Sequence, residues 1–357
     1  MVYPVFNATL KEETTFPWTY YKSTPYVNSE GRERLERLYR IAFHLRVFSL
    51  VVYSLAFLLG TTGNGLVIYF TAFVMKRTVN VVWFLNLAIA DFIFTSFLPV
   101  TITCVYLNHW PFGKFTCMLN NTILFINLYA SIFLLTVISI DRFIAVVLPV
   151  WCQNHRTPKL ASFVAVAVWI LAFIFSLPNF IFRDINDAEK DHVFCYNNFH
   201  EDEKVAYQMQ KATVIVRFIA SFFIPFTIII SCYSVILLHI QRNHMTTSSK
   251  PYKVVLAVIL SFFICWFPYH VFSFLKLSEN YENKHLYYIT FIGIPITSSL
   301  AYINSCINPI LYVFMGRDFK QKFQSSLRSV FEKAFSEESG QMDSKNKTKL
   351  TSNPQLV

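Results

Sequence analysis

Charged residues and glycines are scarce in this chain of 357 residues, of which 15% are Asp, Glu, Lys or Arg and only 8 are Gly. Soluble domains carry about 25% charged and about 45–50% apolar residues, whereas 54% of this chain is apolar and 18% is aromatic. This composition excludes a disordered chain and a collagen-like repeat. The net charge of +10 does not indicate nucleic-acid binding, because so few residues carry any charge. The composition predicts a membrane protein.

Acidic residues are absent from long stretches of the chain. Only Asp91 and Asp141 interrupt residues 37–183, and none occurs in residues 204–278. A carboxylate is costly inside a bilayer, and a helix needs about 20 apolar residues to cross the hydrocarbon core. Seven apolar runs are long enough: residues 47–74, 80–106, 115–140, 161–182, 209–239, 254–277 and 286–314. We therefore predict an all-α membrane protein, built as a bundle of seven transmembrane helices.

Basic residues concentrate in alternate loops, which predicts the orientation of the bundle. The loop at residues 183–204 holds seven acids and three bases. The first, third and fifth loops carry the bases Lys76, Arg77, Arg156, Lys159, Arg242, Lys250 and Lys253. Because short loops rich in Lys and Arg stay in the cytosol, the N-terminus is predicted to be extracellular and the C-terminus cytosolic.

The chain divides into four parts on this interpretation. Residues 1–46 form an extracellular segment, in which Asn7 begins an Asn-x-Thr sequon for glycosylation. Residues 47–314 form the seven-transmembrane domain. Residues 315–334, where phenylalanines alternate with basic residues, predict a short amphipathic cytosolic helix and the start of the tail. Residues 335–357 form a disordered cytosolic tail.

Seven cysteines leave at least one unpaired. Cys117 at the outer start of the third run and Cys195 in the acidic outer loop both face an oxidising compartment in this orientation. A disulfide between them would hold the loop over the mouth of the bundle. We predict that bridge.

A few polar residues lie inside the apolar runs. Asp91 is near the middle of the second run, Asn127 and Ser131 share one helix face, and Asn304 and Asn308 share another. A carboxylate surrounded by such oxygens suits a small hard cation such as sodium. The alternative is that Asp91 is a protonated or hydrogen-bonded packing residue.

Three motifs lie at the ends or kinks of the runs. Asp141-Arg142-Phe143, Cys265-Trp266-Phe267-Pro268 and Asn308-Pro309-Ile310-Leu311-Tyr312 resemble the signature motifs of rhodopsin-like (class A) G-protein-coupled receptors. The third position of the first motif is Phe143 where the family commonly has Tyr. Further residues resemble the family's markers in the remaining helices: Asn64, residues 87–91, Trp169, Pro225 and Tyr233.

The resemblance implies an activation switch. Asp141 would hold Arg142 in the inactive state and release it towards a G protein in the active state. Trp266 would relay ligand contact to the helix kink. The implied switch residues are Asp141, Arg142, Tyr233, Trp266, Pro268 and Tyr312.

Longer stretches resemble one branch of the family, the chemoattractant peptide receptors of the chemerin and formyl-peptide type. These stretches cover residues 109–113, 149–157, 304–308 and 313–319. Residues 182–184, 195–199 and 268–270 are more similar to chemerin receptors, and residues 241–245 and 261–265 to formyl-peptide receptors.

The resemblance also implies a ligand site. Formyl-peptide receptors carry an Asp where this chain has Phe125, and two Arg of which only Arg217 remains, with Thr213 at the other position. Arg217 precedes Pro225 by eight residues, about 12 Å towards the outside, where it suits the free C-terminus of a peptide. The alternative is that Arg217 extends to the lipid headgroups. The implied ligand-binding residues are Arg217, Phe125, Asn121, Tyr269, His270 and Ser298.

Other functions lack the residues that they need. An opsin needs a lysine in the seventh run, and residues 285–319 contain none. The sequence has no His-Glu-x-x-His motif and no phosphate-binding glycine loop, so we predict neither an enzyme nor a cofactor, a bound sodium ion apart.

The resemblance implies a plasma-membrane receptor with an extracellular peptide or protein agonist, of the chemerin type in preference to a formyl peptide. It also implies an inhibitory G protein, membrane lipids, and receptor kinases and arrestin that act on tail serines. The alternatives are a formyl-peptide-type receptor and a scavenging receptor that recruits arrestin with weak G-protein signalling.

Overall fold

A computed structural model describes residues 29–186, 193–242, 250–278 and 284–315. Nine α-helices and two strands occur in these ranges. They are α1 (Ser29–Tyr69), α2 (Val79–Leu107), α3 (Gly113–Val147), α4 (Pro149–His155), α5 (Pro158–Ile181), β1 (Arg183–Asn186), β2 (Phe194–Asn197), α6 (Glu203–Phe218), α7 (Ile224–Arg242), α8 (Lys250–Leu277) and α9 (Lys284–Met315). Five-residue π-helical turns, Phe70–Val74 and Ile219–Phe223, follow α1 and join α6 to α7.

Seven helical segments are long and apolar enough to cross a membrane, which confirms the predicted bundle. Each predicted run overlaps one of them: four runs lie wholly within a segment, and the other three extend past an end by one to three residues. The first helix begins earlier than its apolar run, at Ser29, and its polar first turns contain an ion pair between Glu33 and Arg37 at 3.3 Å. The helix therefore starts inside the segment assigned to residues 1–46.

Side-chain caps explain where several helices begin. Thr78 precedes α2 and accepts a hydrogen bond from the backbone N–H of Val81. Thr157 caps α5, with proline at its first position. Asp202 caps α6 by accepting from two backbone N–H groups. These residues satisfy donors that have no partner within the helix.

The core of the bundle is centred on α3, the most buried span, which packs against α2, α5 and α7. Side chains on the outer faces are apolar and exposed, such as Phe73, Phe163 and Leu237. Apolar groups outside and polar groups inside are typical of a protein that has lipid as its solvent.

A β-hairpin covers one end of the bundle. Strands β1 and β2 are antiparallel, and the disulfide between Cys117 and Cys195 ties β2 to the start of α3 with a Cα–Cα distance of 5.8 Å. The predicted bridge is confirmed. Lys114 pairs with Asp184 on β1 at 2.8 Å and lowers the pKa of that carboxyl group. The hairpin is thus attached to α3 by a covalent bond and an ion pair.

Some predicted features lie outside the described residues. They are the sequon at Asn7, the amphipathic helix after Met315 and the tail.

Candidate functional site

A cavity opens between α3, α5, α6, α8, α9 and the hairpin. Its polar lining includes Asn121, Asn179, Arg183, Arg217, Tyr269 and Lys276. We call this cavity the basic pocket.

Arg217 on α6 points into the bundle and is only 9% exposed. It donates to the Tyr269 hydroxyl at 3.0 Å and to Asn179 Oδ1 at 3.2 Å. Its guanidinium group lies 4.2 Å from the centre of the Phe125 ring. The side chain therefore faces the basic pocket and not the lipid headgroups, the alternative that the sequence left open.

Arg183 at the start of β1 is a second buried cation in this pocket, 4% exposed, and sequence reasoning missed it. It donates to Asn121 Oδ1 at 3.2 Å, and its Nε has no hydrogen-bond partner. Burial lowers the pKa of Arg183 to about 10, so the group stays charged at neutral pH. The sequence placed Arg183 in an exposed loop, and only its position directly after the fourth span could have indicated otherwise.

Four of the six predicted ligand residues line the basic pocket: Asn121, Phe125, Arg217 and Tyr269. His270 and Ser298 are buried elsewhere and are not among its lining residues. His270 lies 3.4 Å from the hydroxyl of Ser221, and its ring packs against phenylalanines of α6 and the π-helical turn. Successive residues of an α-helix point about 100° apart, so Tyr269 can face the cavity while His270 faces a neighbouring helix.

Asp91 is fully buried between α2, α3 and α9. It accepts hydrogen bonds from the amides of Asn127 at 2.9 Å and Asn308 at 2.8 Å. Ser305, which the sequence analysis did not single out, donates to Asn127 Oδ1 at 3.3 Å. The structure therefore joins the three spans through one carboxylate.

Unpartnered polar atoms occur among the other predicted residues of this cluster. Ser131 Oγ, Asn304 Nδ2 and Asn308 Oδ1 are buried and have no hydrogen-bond partner. The two oxygens and the Asp91 carboxylate are the ligand type that hard cations prefer. This donor set fits a sodium ion.

Near the C-terminal end of α3, away from the hairpin, Asp141 pairs with Arg142 at 2.6 Å. Arg156, after α4, also binds this carboxylate, at 2.7 and 2.9 Å. Both arginines donate to Asn80 Oδ1 on α2. Arg156 and Asn80 were not predicted to take part, because the pattern of the motif covers only adjacent residues.

Trp266 is buried on α8, one turn below Tyr269, and the two rings lie edge to face at 5.7 Å. Since Tyr269 also bonds Arg217, a short chain of contacts links the basic pocket to Trp266. Pro268 lies inside α8 and Tyr233 packs half-buried against the core. Tyr312 is on α9, but its side chain is outside the described part.

A family model described as 7 transmembrane receptor (rhodopsin family) matches residues 63–312. The chain belongs to this family. The assignment confirms the resemblance drawn from the three motifs. Members of the family are G-protein-coupled receptors and not enzymes, as the sequence predicts.

Similar proteins belong to the chemoattractant branch of these receptors. Chemerin-like receptor 1 of Rattus norvegicus is 44% identical over 308 residues, 82% of each chain. The C3a anaphylatoxin chemotactic receptor of Danio rerio is 46% identical over 299 residues, 84% of this chain and 80% of its own. N-formyl peptide receptor 3 of Homo sapiens is 44% identical over 304 residues, 82% of this chain and 86% of its own. The chain is therefore a chemoattractant-type receptor.

Proposed function

We propose that this receptor acts at the plasma membrane, with its N-terminus outside, and binds the C-terminal carboxylate of a chemerin-like peptide or small protein through Arg183 and Arg217. The observation that carries the proposal is that both arginines are buried in the lining of one pocket. Within the described residues, neither forms an ion pair with an acid.

The energetics of burial favour an anionic ligand. A buried charge is costly unless it is paired, and a guanidinium group binds a carboxylate through two parallel hydrogen bonds. Neutral oxygen atoms accept hydrogen bonds from the terminal nitrogens of each guanidinium group, but the Nε atoms of both arginines lack a partner. A carboxylate that entered the basic pocket would supply both the missing charge and the missing acceptors.

The residues around these cations favour one class of peptide over another. Phe125 lies over Arg217 where formyl-peptide receptors carry an acid, so the site lacks the carboxylate expected for a formyl-methionyl amide. A chemerin-like receptor is among the relatives, which supports an agonist of that class. A formyl-peptide-type agonist is the second candidate, supported by the 44% identity to a receptor with that name.

Paired peptides test the anchor. A chemerin C-terminal peptide would be compared with its C-terminal amide on the wild type, Arg183→Ala and Arg217→Ala, with surface expression measured. Each variant should lower the affinity for the free acid about ten- to one-hundred-fold and affect the amide little, because charge-assisted hydrogen bonds are lost. Lys211→Ala removes an exposed charge from the same helix as Arg217 and should change neither affinity. Equal losses for acid and amide would contradict the proposal.

On this proposal the receptor couples to a G protein, which the Asp141–Arg142 pair at the cytosolic end of α3 supports. The inhibitory class is the one that the resemblance to chemoattractant receptors implies. Agonist-driven suppression of cAMP should occur and should disappear after pertussis toxin. Arrestin recruitment without any toxin-sensitive suppression would instead identify a scavenging receptor. Receptor kinases, arrestin and anionic lipids would act on the tail, which lies outside the described residues.

A sodium ion bound by Asp91, Ser131 and Asn308 is part of the same proposal, with Asn127 and Asn304 beside it. The ion would neutralise the buried carboxylate and occupy oxygens that otherwise lack partners. Asp91, Ser131 and Asn308, bound to the same ion, would thereby hold α2, α3 and α9 together in the inactive state.

A further inference from the structure

A second cavity, which we call the aromatic pocket, adjoins the basic pocket on the side of α2 and the hairpin. It lies between α2, α3, α9 and the hairpin. Asn121 and Arg183 line both cavities, and the hydrogen bond between them makes the pair a shared wall. A group bound to Arg183 therefore lies at the entrance of both.

The lining of the aromatic pocket is mainly apolar. Phe94 and Tyr302 pack edge to face at 5.0 Å. The polar side chains of Thr101 and Asn120 are hydrogen-bonded to each other at 3.1 Å, so they do not require a polar group from a ligand. The rings that line this pocket belong to Phe94, Phe97, Trp110, Phe194 and Tyr302.

We propose that the aromatic pocket binds an apolar or aromatic side chain from one of the last two residues of the agonist peptide. This rests on the proposed function, in which Arg183 binds the C-terminal carboxylate. Consecutive residues of an extended chain are only about 3.3–3.6 Å apart along the chain, so the last two side chains lie close to that carboxylate. Burial against aromatic rings then supplies the affinity that the charge contact alone does not.

The selectivity of the receptor would thus depend on two features of the peptide end. The carboxylate is recognised by the arginines, and the adjacent side chain is recognised by its size and apolar character. Peptides with small or charged side chains at both of the last two positions would bind weakly even though their carboxylate is free.

The experiment combines peptide analogues with receptor variants. Chemerin C-terminal peptides with a free carboxylate would carry Phe or Ala at the last position, and separately at the penultimate position. At the position that enters the aromatic pocket, Phe should bind the wild type about ten- to one-hundred-fold more tightly than Ala. Phe97→Ala, which alters the aromatic pocket alone, should reduce this preference to about threefold or less.

Controls separate the aromatic pocket from general damage. Phe272→Ala alters only the basic pocket and should weaken the Phe and Ala peptides by the same factor. Phe97→Leu should give an intermediate preference and replaces Phe97→Ala if the latter does not reach the cell surface.

The outcomes distinguish the two proposals. An unchanged preference at both peptide positions in the Phe97 variants would overturn the aromatic-pocket proposal, provided that Arg183→Ala lowers the affinity for the free acid more than the affinity for the amide. If Arg183→Ala lowers both affinities equally, the carboxylate anchor is wrong and the aromatic-pocket proposal is wrong with it.

Discussion

Arg156 binds both oxygens of the Asp141 carboxylate, through its Nε at 2.7 Å and a terminal nitrogen at 2.9 Å. Arg142, the neighbour of Asp141 in the chain, reaches only one of these oxygens. A two-pronged guanidinium contact is geometrically more specific than a single one. The loop after α3 therefore fixes the carboxylate that restrains Arg142.

Arg156→Ala should raise the basal activity of the receptor. Loss of a hydrogen bond to a charged group costs about 1.5–3 kcal/mol, and about 1.4 kcal/mol is a tenfold change in an equilibrium. We expect agonist-free nucleotide exchange on the G protein to increase about tenfold or more per receptor, because the inactive state loses the contact. Arg156→Lys should restore part of the restraint, since a lysine cannot form both bonds in one plane.

A charge-matched control accompanies this measurement. Lys159→Ala also removes one positive charge from the same loop, but Lys159 is exposed. Its basal activity should equal that of the wild type. Equal basal activity in wild type, Arg156→Ala and Lys159→Ala would show that Arg156 does not restrain the switch.

Asp91→Asn should abolish the dependence of agonist affinity on sodium. In the wild type, sodium chloride should weaken agonist binding relative to equimolar choline chloride, because the ion stabilises the inactive state through the buried carboxylate. Asparagine keeps the shape and can still accept from one of the two amides through its remaining oxygen, but it removes the charge. Competition binding in the two salts is the measurement, and Ser131→Ala should reduce the sodium effect without removing it. A sodium effect that persists in Asp91→Asn would exclude this site.

Phe125→Asp should weaken the binding of acidic agonists. The Phe125 ring lies 4.2 Å from the guanidinium group of Arg217, so an aspartate there would pair with that arginine and compete with the ligand carboxylate. We expect at least about a tenfold loss of affinity for a free-acid peptide and a smaller loss for its amide, measured by competition binding. Phe125→Leu is the matched control, because it removes the ring without adding a charge. A free-acid affinity that is the same in Phe125→Asp and Phe125→Leu would contradict this arrangement.

The sequence predicted those features that depend on long apolar runs or on residues close together in the chain. The seven spans follow from apolar runs, and the position of Asp91 follows from its isolation among them. Arg183 and Arg156 were missed as site residues because each lies in a loop that folds back onto a helix distant in sequence. Asn80 was missed because it lies on α2, 62 and 76 residues before its partners Arg142 and Arg156. The two ligand residues that the structure places outside the basic pocket, His270 and Ser298, were assigned by resemblance, which fixes a helix position but not the direction of its side chain.

Loss of the Cys117–Cys195 bridge should abolish high-affinity agonist binding while leaving the seven spans in place. The bridge holds β2 against α3, and the strand pairing then fixes Arg183, directly opposite Asn197, in the basic pocket. The bridge closes a loop of 78 residues, for which loss of the cross-link costs about 4.5 kcal/mol, and the bilayer still holds the helices when it is broken. The double variant Cys117→Ser/Cys195→Ser should therefore reach the membrane in reduced amount and lose at least about one-hundred-fold in agonist affinity. Cys152→Ser, a change of the same type at a free cysteine far from the hairpin, should bind normally. Wild-type affinity in the double variant would show that the hairpin keeps Arg183 in place without the covalent bond.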